Sequence, residues 1–435
     1  MIVRNEARMG YILKRSALLL LFVWRTTAAS LPSAKPEDLG MSSERLRRLD
    51  QMLQRRVDGR DIAGAVTIVA RKAKIVHLQA FGVRDLESKQ PMTTDTIFRI
   101  ASMTKPVAGL AIMMMIEEGK VRLTDPVSRY IPEFKHMKVA VAQTGGGEGR
   151  GGGPMGAAPA QGGRGSVPQF YSIPAEREIT IRDLLTHVSG LASGVISSDE
   201  TRNLNRRPEE NLASYIPRLG STPLEFQPGS RWAYSPQAGF DTLGRIVEIA
   251  SEMPLDQFFR ERIFNPLGME DVSFWPADDR WPRVASVYLK TASGLQKSPN
   301  PNTMSSKVYF MGSGGLMTTA ADYLPFGVML GNGGALNGKR LLSPKTVEMM
   351  TSVHAPDTLP GRPAGEGFGL SVRVIKDHAA QGTLLSNGTF GWSGIYGTYF
   401  FVDPKEQLVA ILMAQTANRE MALDFENLVE QAIVE

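Results

Sequence analysis

Ile100-Ala101-Ser102-Met103-Thr104-Lys105-Pro106 opens the stretch IASMTKPVAGLAIMMMIEEG, which closes at Glu117-Glu118-Gly119. The run is apolar on nearly every side, so it predicts a helix buried in a core rather than one with a solvent face. Ser102 and Lys105 fall in its first turn, and positions i and i+3 share a helix face, so the lysine ammonium can lie beside the serine hydroxyl. Pro106 is tolerated there because first-turn N–H groups have no intrahelical partner to lose. Gly119 suits a left-handed cap. A serine at a helix N-terminus also has unpaired N–H donors and the positive end of the dipole nearby, both useful to an oxyanion. Ser102–Lys105 is the only S-x-x-K in the chain. Alone it leaves open a surface serine beside a solvated lysine, since a chain of this length holds such a spacing by chance.

Working outward, Ser42 to Arg56 predicts an amphipathic helix with Leu46, Leu49 and Leu53 on one face. Ala63–Ala70 and Ile75–Gly82 predict two strands of a hairpin. Between about 140 and 168 the sequence becomes GGGEGRGGGPMGAAPAQGGRG, a composition that buries little apolar area and predicts a mobile loop. No G-x-x-x-x-G-K-[ST] marks it as a phosphate loop. Thr180–Thr186 and Asp241–Ser251 predict helices within a largely helical, loop-rich region from about 99 to 299. Gly369–Ile375, Thr383–Phe390, Tyr396–Asp403 and Gln407–Gln415 predict strands, followed by a last helix from Asn418 to Val434. Strands at both ends with helices between predict an α/β (α+β) chain, its antiparallel sheet completed by the two termini.

The chain has 435 residues, 42% hydrophobic and 21% charged, ample for a large core. Cysteine is absent, which excludes disulfides and thiolate metal sites. The net charge of +5 is concentrated at the start, where Arg4, Arg8, Lys14, Arg15 and Arg25 face only Glu6. The remainder is close to neutral, so composition gives no case for nucleic acid. Residues 1–29 resemble a secretory signal: a basic stretch, an apolar run from Ser16 to Trp24 too short to span a bilayer, and small residues at Thr27-Ala28-Ala29. That implies export to the periplasm or exterior, no stable membrane insertion after processing, and a mature domain over 30–435. Arg25 is atypical of such a signal, and a cytoplasmic enzyme with an N-terminal tail is the alternative.

A serine hydroxyl is a weak nucleophile and needs a base, an oxyanion site and a pocket. Tyr234 lies in Phe226-Gln227-Pro228-Gly229-Ser230-Arg231-Trp232-Ala233-Tyr234-Ser235-Pro236, where Pro228-Gly229 makes a turn and Ser235 and Pro236 suit the start of a helix. A tyrosine held near an ammonium can accept a proton; a core tyrosine with a satisfied hydroxyl is the other reading. Gly391-Trp392-Ser393-Gly394-Ile395 falls between two predicted strands, where a backbone N–H could face the serine across a cleft or the glycines could merely serve a turn.

FRIASMTK around Ser102, ITIRDLLTHVSGL from Ile179, FQPGSRWAYS up to Ser235, NPLGMEDVSF from Asn265, GSGGLMTTAADY from Gly312 and GWSGIYGTYFFVDP from Gly391 occur in order. Together they resemble the serine β-lactamase and penicillin-binding-protein-like hydrolases, most closely the class C β-lactamase-like group that includes the family VIII carboxylesterases. The resemblance runs from about Leu39 to the C-terminus, outside the glycine-rich loop. It implies a β-lactamase/transpeptidase-like fold, Ser102 as acylated nucleophile, Lys105 as its proton partner and Tyr234 as general base. It further implies an oxyanion hole from the backbone N–H groups of Ser102 and Ile395, with Trp392, Ser393 and Gly394 along the substrate. No cofactor or metal is implied. His187 looks structural in this family. The absence of H-E-x-x-H and G-x-S-x-G supports neither a zinc hydrolase nor an α/β-hydrolase.

Two departures bear on substrate. Pro236 replaces the asparagine of the family's Y-x-N and cannot offer a side-chain amide. Trp392 replaces the lysine of K-T-G, removing the cation that meets a penicillin carboxylate. Losing a charged hydrogen-bond partner costs ~1.5–3 kcal/mol, or one to two powers of ten in discrimination. Both point to a metal-free serine carboxylesterase acting on small, short-chain carboxylic esters. The alternatives are a β-lactamase or D-alanyl peptidase, an acyltransferase using the same residues, and a catalytically silent binding or sensor domain.

Overall fold

The computed structural model describes residues 31–143 and 167–435. The expected signal segment, 1–29, and most of the glycine-rich segment lie outside those residues. Helix α1 (Ser43–Asp58) starts where Ser42 Oγ accepts the Arg45 N–H at 3.2 Å and buries Leu46, Leu49, Met52 and Leu53. Strands β1 (Gly64–Arg71) and β2 (Lys74–Asp85) form the expected hairpin. Lys72 and Ala73 at its tip have φ of 49° and 57°, the pair of left-handed residues that a tight hairpin turn matching the strand twist requires. Every residue of β1 is buried, and its sequence is apolar on both faces apart from Thr67 and Arg71 rather than alternating. A short β3 (Gln90–Pro91) follows at the sheet edge.

Helix α2 (Thr104–Glu117) carries the deciding stretch and is buried from Thr104 to Met115. It packs against α3 (Ala238–Ser251), and α4 (Ala320–Gly331) packs on the sheet. The chain then returns through β4 (Glu366–Phe368), β5 (Arg373–Ile375), β6 (Phe390–Gly394), β7 (Thr398–Asp403) and β8 (Leu408–Ala414), and ends in α5 (Arg419–Glu430). Among the described residues these build one eight-stranded antiparallel sheet in the order β4-β5-β6-β7-β8-β1-β2-β3. The termini are joined by the β1–β8 ladder, from Ala65↔Ala414 to Arg71↔Leu408. One sheet face packs α1 and α5 over Leu49, Leu53, Phe401, Leu412 and Phe425; the other is continuous with the core around α2 and α3. No helix among the described residues is long and apolar enough to cross a membrane.

Four local expectations are corrected. The α2 region begins as a 3-10 turn, Ala101–Met103, so Ser102 stands just ahead of the α-helix rather than inside it. Gly369–Ile375 is a strand only over Arg373–Ile375. Thr383–Phe390 is not a strand: Asp377 caps a short helix, His378–Gln381, and left-handed Gly382 and Gly388 turn the chain until β6 begins at Phe390. Ser235 and Pro236 precede α3 instead of starting it, although Ser235 Oγ still accepts the Gly239 N–H at 3.1 Å.

Candidate active site

The turn before α2 is held in an unusual backbone state. Ala101 has φ of +44° and is buried, a left-handed conformation that costs an L-residue about 1–2 kcal/mol. It sets Ser102 at the surface of the cleft while Met103 and Thr104 enter the core. Lys105, in the next turn, is fully buried. Its Nζ donates to Ser102 Oγ at 3.2 Å, to the Pro236 carbonyl at 2.7 Å and to the Ser313 carbonyl at 2.8 Å. The i, i+3 pairing read from the tetrad is therefore present, and two backbone carbonyls from distant loops complete it.

Tyr234 reaches the same point from the other side, its Oη donating to Ser102 Oγ at 2.7 Å. His187 fixes the loop that presents it. The His187 carbonyl accepts the Ala233 N–H at 3.0 Å, its Nδ1 accepts the Ser235 N–H at 3.2 Å, and its ring lies 4.7 Å from that of Tyr234. Burial, with Lys105 and Arg362 adding repulsion, pushes the His187 imidazole well below its usual range, so it stays neutral. Its contacts are those of a packing residue, as the sequence suggested.

Strand β6 closes the cleft opposite the serine. A β-carbon at Gly394 would lie 2.3 Å from the Ile100 carbonyl, and Thr398 Oγ1 donates to that carbonyl at 3.2 Å, so the strand backbone abuts the turn that carries Ser102. Strand β5 pairs with β6 only at Phe390 and Gly391. The edge of β6 from Trp392 to Ile395 is consequently open, and Ile395 follows the last ladder pair of β6 and β7, Gly394↔Thr398. Ser102, Tyr234, Trp392, Ser393, Gly394 and Ile395 all line one cavity of about 320 Å³. The indole of Trp392 stands edge-on to Phe368 at 5.1 Å and lies 5.6 Å from the Tyr234 ring. It is 4% exposed and its Nε1 has no hydrogen-bond partner, so an apolar plate occupies the wall where a cation was missing from the sequence pattern.

Behind Lys105 lies a group that the sequence reading did not single out. Asp241, fully buried on α3, accepts the Ser313 N–H and the Tyr309 hydroxyl, each at 3.0 Å. Burial pushes its carboxyl up to about 6, against these hydrogen bonds and the pull of Lys105. Through the Ser313 N–H it tethers the loop whose Ser313 carbonyl holds Lys105. Nothing in the local pattern of α3 marks Asp241 as different from a solvent-facing helix residue. Among the described residues, no group of three or more His, Asp or Glu side chains is arranged to hold a metal ion.

The chain as a whole has relatives. The Beta-lactamase family model matches residues 49–433. Protein Rv1367c of Mycobacterium tuberculosis is 36% identical over 368 residues, covering 81% of this chain and 86% of that protein. Esterase EstB of Burkholderia gladioli is 31% identical over 430 residues, covering 91% and 96%. Among solved structures, EstCE1, a hydrolase with promiscuous acyltransferase activity, superposes with a TM-score of 0.71 at 26% identity, covering 90% of this chain and 99% of that one.

Proposed function

The chain belongs to the beta-lactamase family and is a serine hydrolase, and from that premise we propose that it is a carboxylesterase acting through an acyl-enzyme on Ser102. Lys105 Nζ is held by the Pro236 and Ser313 carbonyls at 2.7 and 2.8 Å and stands 3.2 Å from Ser102 Oγ, whereas the Tyr234 hydroxyl has Ser102 Oγ alone at 2.7 Å, so we assign the base role to Tyr234 and that of its proton partner to Lys105. Tyr234 donates to Ser102 Oγ as a phenol, so it serves as base only after releasing that proton to solvent; it then takes the Ser102 proton as Ser102 Oγ bonds to the ester carbonyl carbon, beside the Lys105 side chain. The Ser102 and Ile395 N–H groups stabilise the oxyanion. Tyr234 then protonates the departing alkoxide. In the second half-reaction it deprotonates a water that attacks the acyl carbon and frees Ser102. Reaction with an alcohol in place of water would make the enzyme an acyltransferase, and the promiscuous acyltransferase activity of EstCE1 keeps that reading as the second one.

The observation that carries ester over β-lactam is the wall opposite Ser102. Trp392 fills it with a buried indole, and Pro236 contributes only a carbonyl, which is committed to Lys105. A lactam carboxylate finds no cation there, whereas a neutral ester needs none. Rapid quenching with p-nitrophenyl butyrate should show a transient butyryl adduct on Ser102 by peptide mass spectrometry. Label on any other residue, or none while hydrolysis proceeds, rejects the mechanism. Export is part of the same proposal, and an N-terminal sequence of protein from the producing cells beginning near Ser30 would support it.

A further inference from the structure

The cavity does not end at Ser102. It turns around the open edge of β6 and continues on the α5 side of the sheet, where Ser393 and Tyr399 are ladder partners. Its walls there are mixed, with Ile395, Ala422 and Leu423 apolar and Gln381, Asn418 and the solvent-exposed Arg419 polar at the rim, and its floor is formed by Arg373, Glu426 and Glu366. These three are only 4%, 3% and 1% exposed. Arg373 Nη2 donates to Glu426 Oε1 at 2.5 Å, and Tyr399 shares that contact. Arg362 Nη2 donates to Glu366 Oε1 at 2.6 Å. Two guanidinium groups and two carboxylates thus leave the floor electrically balanced. Its hydrogen bonding is incomplete: Arg373 Nε has no acceptor, and the contact of Arg373 Nη1 with Glu366 Oε2, at 3.8 Å, is too long for a hydrogen bond.

We propose that this chamber receives the far end of the substrate's acyl arm, and that this end is an uncharged group that both donates and accepts hydrogen bonds, such as a carboxamide or a hydroxyl. The proposal rests on the esterase reading. The departing alcohol must lie at Tyr234, on the helical side of β6, so the acyl arm is the one free to pass the strand edge to the α5 side. Arg373 pairs with Gly391, three residues back along β6 from Gly394, or about 10 Å, the reach of a medium-length acyl chain. A methyl end would cover unspent donors and acceptors and strand them. A carboxylate or ammonium end would bring an unbalanced charge into a buried site. Plain alkyl esters should therefore decline beyond short chains, while amide-ended chains should not.

The test is a series of p-nitrophenyl esters: acetate, butyrate, heptanoate, and acyl chains of heptanoate length ending in carboxamide, carboxylate or ammonium. The carboxamide ester should exceed heptanoate in kcat/KM by about tenfold, with both charged esters below it. Leu423→Trp, which narrows the chamber away from the chemistry, should erase that advantage while acetate is still hydrolysed. Glu366→Gln leaves the floor net positive and should shift the preference to the carboxylate ester. Should that variant not fold, the Leu423→Trp series decides alone. A heptanoate rate equal to or above that of the carboxamide ester, or an advantage that survives Leu423→Trp, overturns the proposal. Absence of hydrolysis of every ester, acetate included, would refute the esterase reading itself.

Discussion

Three side chains meet at one oxygen, Ser102 Oγ, and their roles separate by what each can still do. Lys105 Nζ has three acceptors within hydrogen-bond distance, while the Tyr234 hydroxyl has a single hydrogen bond, the one to Ser102. Ser102→Ala should abolish ester hydrolysis with the melting temperature preserved, and a phosphonate inhibitor should no longer add mass to the protein. Tyr234→Phe should lower kcat by about 10²–10⁴ with a modest change in KM, because the hydroxyl acts on a proton in flight. A loss under about tenfold would move the base role elsewhere. Trp392 has a second duty besides shaping the wall, since its indole packs on Phe368 and beside Tyr234. Trp392→Lys should raise the β-lactam-to-ester ratio of kcat/KM but also lower the melting temperature, because it removes a buried ring and leaves an unpaired cation in an apolar wall. An unchanged ratio in the folded variant would show that the missing cation is not what excludes lactams.

At the scale of elements, the cleft depends on β6 pressing against the turn before α2. Gly394→Ala would drive a methyl into the Ile100 carbonyl and push the strand away from Ser102. Displacements of about 1 Å cost on the order of 10² in rate, so kcat should fall that far while circular dichroism stays native. Helix α5 carries a pH-dependent weakness. Glu430 closes it with a carboxyl pushed up to about 8 by burial and by Asp403 and Glu406, against the pull of Arg71. Its Oε1 has no partner. Below the ordinary value of 4.5 the group is protonated in both folded and unfolded chains and does not affect stability differentially. As pH rises from there through about 8, the unfolded chain ionises first, and the folded state loses stability until the folded carboxyl ionises too. Glu430→Gln should therefore melt with wild type near pH 4.5 and several degrees above it at about pH 9. A constant offset across that range would contradict the assignment.

Over the whole molecule, what could be read in the chain was what local pattern encodes. The β1–β2 hairpin, the all-round burial of α2 and the i, i+3 spacing of Ser102 and Lys105 depend on neighbours a few residues away, and each is present as read. The span from Thr383 to Phe390 misled because its apolar and β-branched residues resemble a strand, while left-handed Gly382 and Gly388 break it. The partners of Lys105 were invisible for another reason. Pro236 and Ser313 hold it with backbone carbonyls 131 and 208 residues away, and a carbonyl leaves no mark on residue type. Asp241 and the chamber floored by Arg373 and Glu426 likewise exist only once α3, α5 and the sheet are assembled. Family membership is legible in the ordered motifs, whereas the proposed preference for esters rests on two replacements, Trp392 and Pro236, and on the wall they make. That preference is tested most directly by kcat/KM of the purified protein for p-nitrophenyl butyrate against benzylpenicillin under one set of conditions. The ester should be the better substrate by at least about tenfold; a penicillin hydrolysed with the higher kcat/KM would contradict the esterase reading.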